Sequence, residues 1–161
     1  MAKVLITGMS GTGKSTALEL LQERGHATAD TDTDAFSQWV SLPDGSADWI
    51  WREQAVTDLL SGHHHGHLFV AGCKTNQGRF YPMFDHIVLL SAPAEVILAR
   101  IQARTSNPYG KRPEEQAAIL DHLATVEPLL RATATAEIDA AAPIEQVADQ
   151  LEELTKRSKT P

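Results

Sequence analysis

Eight consecutive residues near the N-terminus, Gly8-Met9-Ser10-Gly11-Thr12-Gly13-Lys14-Ser15, have the types and spacing of a phosphate cradle, G-x-x-x-x-G-K-[ST]. Glycines let the backbone curl so that several N–H groups point inward at an anion. A helix that starts inside the loop adds the partial positive charge of its N-terminus. In such a loop the lysine, here Lys14, reaches the β- and γ-phosphates, and the hydroxyl of the next residue, Ser15, ligates Mg²⁺. The expected contacts of a nucleoside triphosphate are therefore Gly8, Ser10, Gly11, Thr12, Gly13, Lys14, Ser15 and Thr16. No N-K-x-D guanine signature is present, which favours ATP, with Mg²⁺ as its metal. Four constrained positions meet by accident in well under about one chain in a hundred of this length.

The residues that would act on a second substrate lie further along. Asp30, Asp32 and Asp34 stand at alternate positions after a short apolar run, and on an extended stretch they share one face. One of them can support the metal and another can take or orient the proton of an acceptor hydroxyl, as phosphoryl transfer requires. Alternatively Asp32 or Asp34 simply caps a following helix. Arg52, between Trp51 and Glu53, offers a guanidinium able to grip a carboxylate or phosphate bidentately. The segment from Arg100 to Pro113 carries Arg100, Arg104, Lys111 and Arg112 around Asn-Pro and Tyr-Gly turn signals. A basic loop there can close over the transferring group and exclude water. His63, His64, His65 and His67 read as a solvated connection and not a zinc site, because adjacent residues do not converge on one ion.

These groups need a scaffold. Val4-Leu5-Ile6 before the cradle reads as a strand and Thr16–Leu21 after it as a helix, the order the motif requires. Further strands are expected at 26–30, 68–71, 87–90 and 135–138, and helices at 14–24, 35–40, 47–60, 93–103, 114–130 and from Pro143 onward. Pro128 would end or kink the long helix at 114–130. Strands alternating with helices imply an α/β fold of three layers, α/β/α, with a five-stranded parallel sheet in the order 2-3-1-4-5 and helices on both faces. The loops after the strands then meet at one edge, where ligands bind in such sheets. A single domain over 1–155, with a lid at about 104–113 and a tail at 156–161, accounts for the chain.

With 161 residues the chain can bury a sizeable core. A net charge of −7 makes it a poor nonspecific nucleic-acid binder. The single cysteine, Cys73, rules out an internal disulfide framework and suits a reducing, cytoplasmic setting. No stretch is apolar for long enough to span a bilayer.

The ordered motifs resemble those of the shikimate kinases, within the wider group of nucleoside-monophosphate-kinase-like P-loop proteins. Gly8–Ser15 matches the family's P-loop, and Asp32-Thr33-Asp34 looks like its D-[ST]-D motif. The resemblance implies that Asp32 assists the metal and that Asp34 binds the acceptor hydroxyls and serves as the base. It likewise implies that Arg52 and Arg131, the latter in Glu127-Pro128-Leu129-Leu130-Arg131, hold an acceptor carboxylate. Arg104 and Arg112 look like the nucleotide-side and lid arginines, and the Asp139–Pro143 turn would pack against adenine. The family carries a Gly-Gly-Gly run against the acceptor after the third strand. Here Gly72-Cys73-Lys74 keeps one glycine, so shikimate itself is not implied.

The expectation is an ATP- and Mg²⁺-dependent kinase phosphorylating a hydroxyl of a small, anionic metabolite. Its catalytic residues would be Lys14, Asp32, Asp34 and Arg112, and its acceptor would contact Asp34, Arg52, Gly72 and Arg131. The alternatives are a nucleoside or nucleotide kinase, and a nonenzymatic nucleotide-dependent binder or slow ATPase.

Overall fold

The apolar runs become the centre of one parallel sheet. In the computed structural model, which describes residues 1–105 and 108–156, β1 (Lys3–Thr7) lies between β5 (Leu68–Ala71) and β6 (His86–Ser91). β2 (Ala27–Asp30) pairs outside β5, and β7 (Ala136–Asp139) outside β6. The full order is β2-β5-β1-β6-β7. Counted among themselves, the five parallel strands stand as 2-3-1-4-5, and the extra labels come from a separate two-stranded sheet, β3 and β4.

Alternation along the strands divides the core. Val4, Ile6, Phe69, Ala71, Val88 and Leu90 face α1 (Lys14–Glu23) and α6 (Ile144–Leu154), which supply Ala17, Leu18, Leu21, Val147, Ala148 and Leu151. Leu5, Leu68, Val70 and Ile87 face the other way, toward Val56 and Leu60 of α2 (Glu53–Ser61), Trp51, Phe80 and Phe84. Phe80 belongs to a 3₁₀ helix, Gln77–Met83. Both faces of β1 are dry, so its position is fixed and the loop that leaves it is aimed.

Two helices of the sequence reading are corrected. Residues 35–40 and the first part of 47–60 form a β-hairpin: β3 (Ser37–Ser41) runs antiparallel to β4 (Ala47–Trp51), with Trp39 opposite Trp49. The two indoles stack with centroids 6.0 Å apart, a cross-strand pair that a helix could not make. The turn between them is closed by Leu42 N–H on Ser46 O at 2.8 Å and Gly45 N–H on Leu42 O at 3.0 Å. The helix survives only from Glu53. The expected helix 114–130 divides into α4 (Pro113–Thr125) and α5 (Glu127–Thr133). Pro128 sits in the first turn of α5, where it has no N–H to give to a preceding helical turn. α3 (Ala94–Ala103) follows Pro93 as expected. The expected lid includes residues 106 and 107, and the tail residues 157–161, all outside the described residues.

Candidate phosphoryl-transfer site

The loop after β1 wraps the N-terminus of α1. Gly8 has φ +152° and passes so close to β6 that a Cβ there would stand 2.5 Å from the Leu90 carbonyl oxygen. The first helical bond is Ala17 N–H to Gly13 O at 2.9 Å. The amides of Lys14, Ser15 and Thr16 precede it and have no acceptor within the helix, so they are available to an anion. Lys14 Nζ donates to Gly8 O at 2.6 Å and Met9 O at 3.0 Å, folding over its own loop. Burial pushes its ammonium below the usual lysine value. The charges of Cys73, Asp32 and Asp30 oppose that shift, and Lys74 reinforces it.

A cavity of about 590 Å³ opens over this loop. Its floor is Ser10, Gly11, Thr12, Gly13, Lys14, Ser15 and Thr16, all expected phosphate contacts. Asp30, Asp32, Gly72 and Cys73 line one end. The apolar Ala140, Ala142, Ile144 and Val147, with Arg100 and Arg104, line it as well, so the turn after β7, expected to pack against adenine, borders the cavity. Arg100 was not singled out from the basic segment; its guanidinium donates to Ala140 O and joins α3 to that turn. Arg104 closes α3 and donates to Tyr109 O at 2.6 Å. Arg112, expected to close from the lid, is the exposed residue before α4 and does not line the cavity; its backbone N–H donates to Glu115 Oε1 at 3.3 Å.

The acidic run is not extended throughout. β2 ends at Asp30, whose carboxylate accepts Asp32 N–H at 3.0 Å, and the chain then turns, with Ser37 N–H on Thr33 O at 2.9 Å. The three carboxylates therefore do not share a face: Asp30 and Asp32 line the cavity, and Asp34 does not. Asp34 contributes its backbone oxygen to Arg52 Nε at 2.9 Å. Arg52 precedes α2 and does not lie mid-helix; Nη1 also reaches Gln38 Oε1 at 3.4 Å.

Gly72 has a packing reason to be glycine. A Cβ would lie 2.2 Å from Thr31 Oγ1 and 3.1 Å from the Trp51 ring. Trp51 is fully buried and donates its indole N–H to Thr31 Oγ1 at 2.8 Å. Two positions later comes Lys74, which sequence reasoning passed over. It ion-pairs with Asp32 at 2.7 Å and lies over the Trp49 ring, 4.0 Å from its centroid.

Arg131 is not brought to this cavity. It pairs with Glu137 at 2.9 Å and Glu127 at 3.0 Å, and lines a separate depression with Ser91, Pro93 and Asp139. Glu137 first, then Glu127, hold its guanidinium above the usual arginine value, and Arg131 with Ser91 holds the Glu137 carboxyl below the usual range. Among the histidines, His63 contacts Gly66 O at 3.0 Å and His67 Nδ1 accepts the Ala2 N–H at 3.0 Å.

A family model described as an AAA domain (AAA_18) matches residues 4–121, from β1 into α4. The fold is similar to that of a shikimate kinase from Acinetobacter baumannii in complex with shikimate, at TM-score 0.64 and 16% identity, over 97% of this chain and 93% of that one. A shikimate kinase from Bacteroides thetaiotaomicron is similar at TM-score 0.67 and 17% identity, over 97% and 99%. A gluconokinase from Sinorhizobium meliloti is similar at TM-score 0.60 and 17% identity, over 96% and 94%. At such identities the likeness is one of fold. No curated protein shows a significant match. The chain belongs to the AAA_18 family of AAA domains, built on a P-loop fold of the shikimate-kinase-like kind.

Proposed function

We propose that this chain is a small-molecule kinase that moves the γ-phosphoryl group of ATP, with Mg²⁺, to a hydroxyl of a small, anionic acceptor. The observation that carries the reading is the single cavity that joins a complete P-loop to two carboxylates at one end and an apolar, arginine-flanked turn at the other. Shikimate kinases and a gluconokinase share the fold, which supports hydroxyl-bearing acceptors.

The residues present fit the nucleotide and the metal. The unbonded amides of the first turn of α1 suit phosphate oxygens, and the close approach of Gly8 to β6 keeps the loop in that curl. Ser15 and Asp32 would hold Mg²⁺, which when bound would neutralise the negative charge of the phosphates. Lys14 would exchange its two loop carbonyls for phosphate oxygens, recovering its charge partners in the same place. Arg100 and Arg104 would flank the nucleotide from α3. Asp34, which does not line the cavity, would orient or deprotonate the acceptor hydroxyl only where the acceptor extends to the turn beside Arg52, and Gly72 would bound the acceptor end. Arg52 alone would anchor the acceptor anion, since Arg131 already has two carboxylates. Arg112 would act only if the lid carries it inward.

The test is ADP release with Mg·ATP over a panel of shikimate, gluconate, neutral sugars, nucleosides and nucleoside monophosphates. A hit on a carboxylate- or phosphate-bearing acceptor, lowered by about 10²–10³-fold in Lys14→Ala, and with a raised acceptor KM in Arg52→Ala, is the expected result. ADP release without a phosphorylated product would overturn the transfer reading.

A further inference from the structure

Lys74 joins the phosphate cavity to the hairpin, and neither the P-loop motif nor the AAA-domain match gives it a role. Its side chain is 9% exposed, so the partners around it must replace the water it gives up. The ammonium donates to Asp32 Oδ1 at 2.7 Å and stands 4.0 Å from the Trp49 ring centroid. The backbone is fixed as well: Lys74 N–H donates to Gln77 Oε1 at 2.8 Å, and Gln77, itself buried, donates to Thr7 Oγ1 and Tyr81 Oη at 3.1 Å each. Thr7 is the last residue of β1, so the loop that carries Lys74 is tied to the strand that launches the P-loop. The Lys74 charge is felt at Lys14. Asp32, by contrast, is 64% exposed and lines the cavity. One oxygen of the carboxylate read above as metal support is thus already occupied by an ammonium.

We propose that Lys74 is a positioning residue that holds Asp32 aimed into the cavity in the nucleotide-free protein and is displaced from it by the divalent cation, so that metal and Lys74 compete for one carboxylate. The proposal rests on the reading of Asp32 under the proposed function. Two cations at the same oxygen, with Lys14 also near, repel each other, and a doubly charged ion attracts the carboxylate more strongly than an ammonium does. The exchange makes and breaks no covalent bond. Its cost appears as a higher metal requirement for nucleotide binding, and its benefit as a carboxylate that stays aimed.

The experiment is a Mg²⁺ titration of the binding of a fluorescent ADP analogue to the full chain, in wild type, Lys74→Met, Lys74→Arg, Asp32→Asn and the Asp32→Asn, Lys74→Met double variant. Methionine keeps an unbranched apolar stem over Trp49 and removes the charge. Lys74→Met should lower the Mg²⁺ midpoint by about three- to tenfold, the scale of one partly buried ion pair. Lys74→Arg should keep the wild-type midpoint. In the Asp32→Asn background Lys74→Met should shift nothing, because the shared partner is gone. An unshifted or raised midpoint in Lys74→Met, or the same downward shift without Asp32, would overturn the proposal while leaving the kinase reading intact. Wild-type protein that binds no analogue, or binds it equally with and without Mg²⁺, would remove both readings together.

Discussion

Lys14 stands under two opposed demands. Under the proposed function it must keep a proton to serve phosphate oxygens, yet its burial at the loop disfavours that proton. Its folded-state pKa lies below the unfolded value, so the unfolded chain binds the proton more tightly. The resulting penalty on stability is fully present below the lowered pKa and fades as pH rises toward the ordinary lysine value. Lys14→Met should therefore abolish ADP release and yet raise the urea midpoint of the nucleotide-free protein at neutral pH, with the gain shrinking at alkaline pH. Urea melts of both proteins across pH decide this, and a midpoint lowered at neutral pH would contradict it. Arg131 makes the opposite case. Its two carboxylate partners satisfy it within the fold, so Arg131→Ala should leave the acceptor KM within about threefold while Arg52→Ala raises it. It should also lower thermal stability, because Glu127, buried and with one oxygen lacking a partner, would lose its cation. An acceptor KM that rises equally in both variants would restore a two-arginine clamp.

At the level of elements, Gly72 links β5, the Thr31 turn and Trp51 at the base of the hairpin. Gly72→Ala must displace Thr31 or the fully buried Trp51, at a cost of about 1–3 kcal/mol. Thermal melts should show the loss, together with a weaker acceptor response, since Thr31 and Trp51 carry the turn and the strand on either side of Arg52. An unchanged melting temperature would mean that the contact relaxes freely. The parallel sheet and the P-loop were legible because long apolar runs and a fixed-spacing motif are local signals. The hairpin was not. Its strands are five residues each, too short for periodicity to separate strand from helix, and what holds them is the pairing of Trp39 with Trp49 across the turn. That error carried Arg52 into a helix; the shared face of Asp30, Asp32 and Asp34 failed separately, because the chain turns after Asp30 and does not stay extended. Lys74 was missed for a related reason: its partners, Asp32 and Trp49, are 42 and 25 positions away. Arg131 sat within a recognisable pattern, but Glu137, which turns it aside, lies on another element.

On the scale of the whole molecule, the cavity is assembled from the ends of β1, β2, β5 and β7 and from α1, α3 and α6, so nucleotide should tie the sheet edge together. At about one hundred times its Kd, a ligand bound only by the folded state adds about 2.7 kcal/mol of stability. For a chain of this size that is a rise in melting temperature of about 5–10 °C. A second anchor tests whether the effect is local. On α6, Glu152 accepts from Arg24 of the α1 terminus and contacts His26 at 2.9 Å, and His26 packs edge-on against Phe69. His26 first, then Arg24, hold the Glu152 carboxyl below its usual range. That contribution is present above the ordinary carboxylate value and is lost as pH falls through the lowered one. Glu152→Gln should therefore lower the melting temperature at neutral pH and narrow its difference from wild type in acid, because the neutral form of Glu152 is what the variant imitates. None of these partners lines the cavity, so the rise on adding Mg·ADP should persist in Glu152→Gln and vanish in Lys14→Met. Differential scanning calorimetry of the three proteins, with and without Mg·ADP, separates the cases. A rise that survives in Lys14→Met would place the nucleotide away from the P-loop, and a rise lost in Glu152→Gln would show that α1 and α6 must stay docked for the loop to bind.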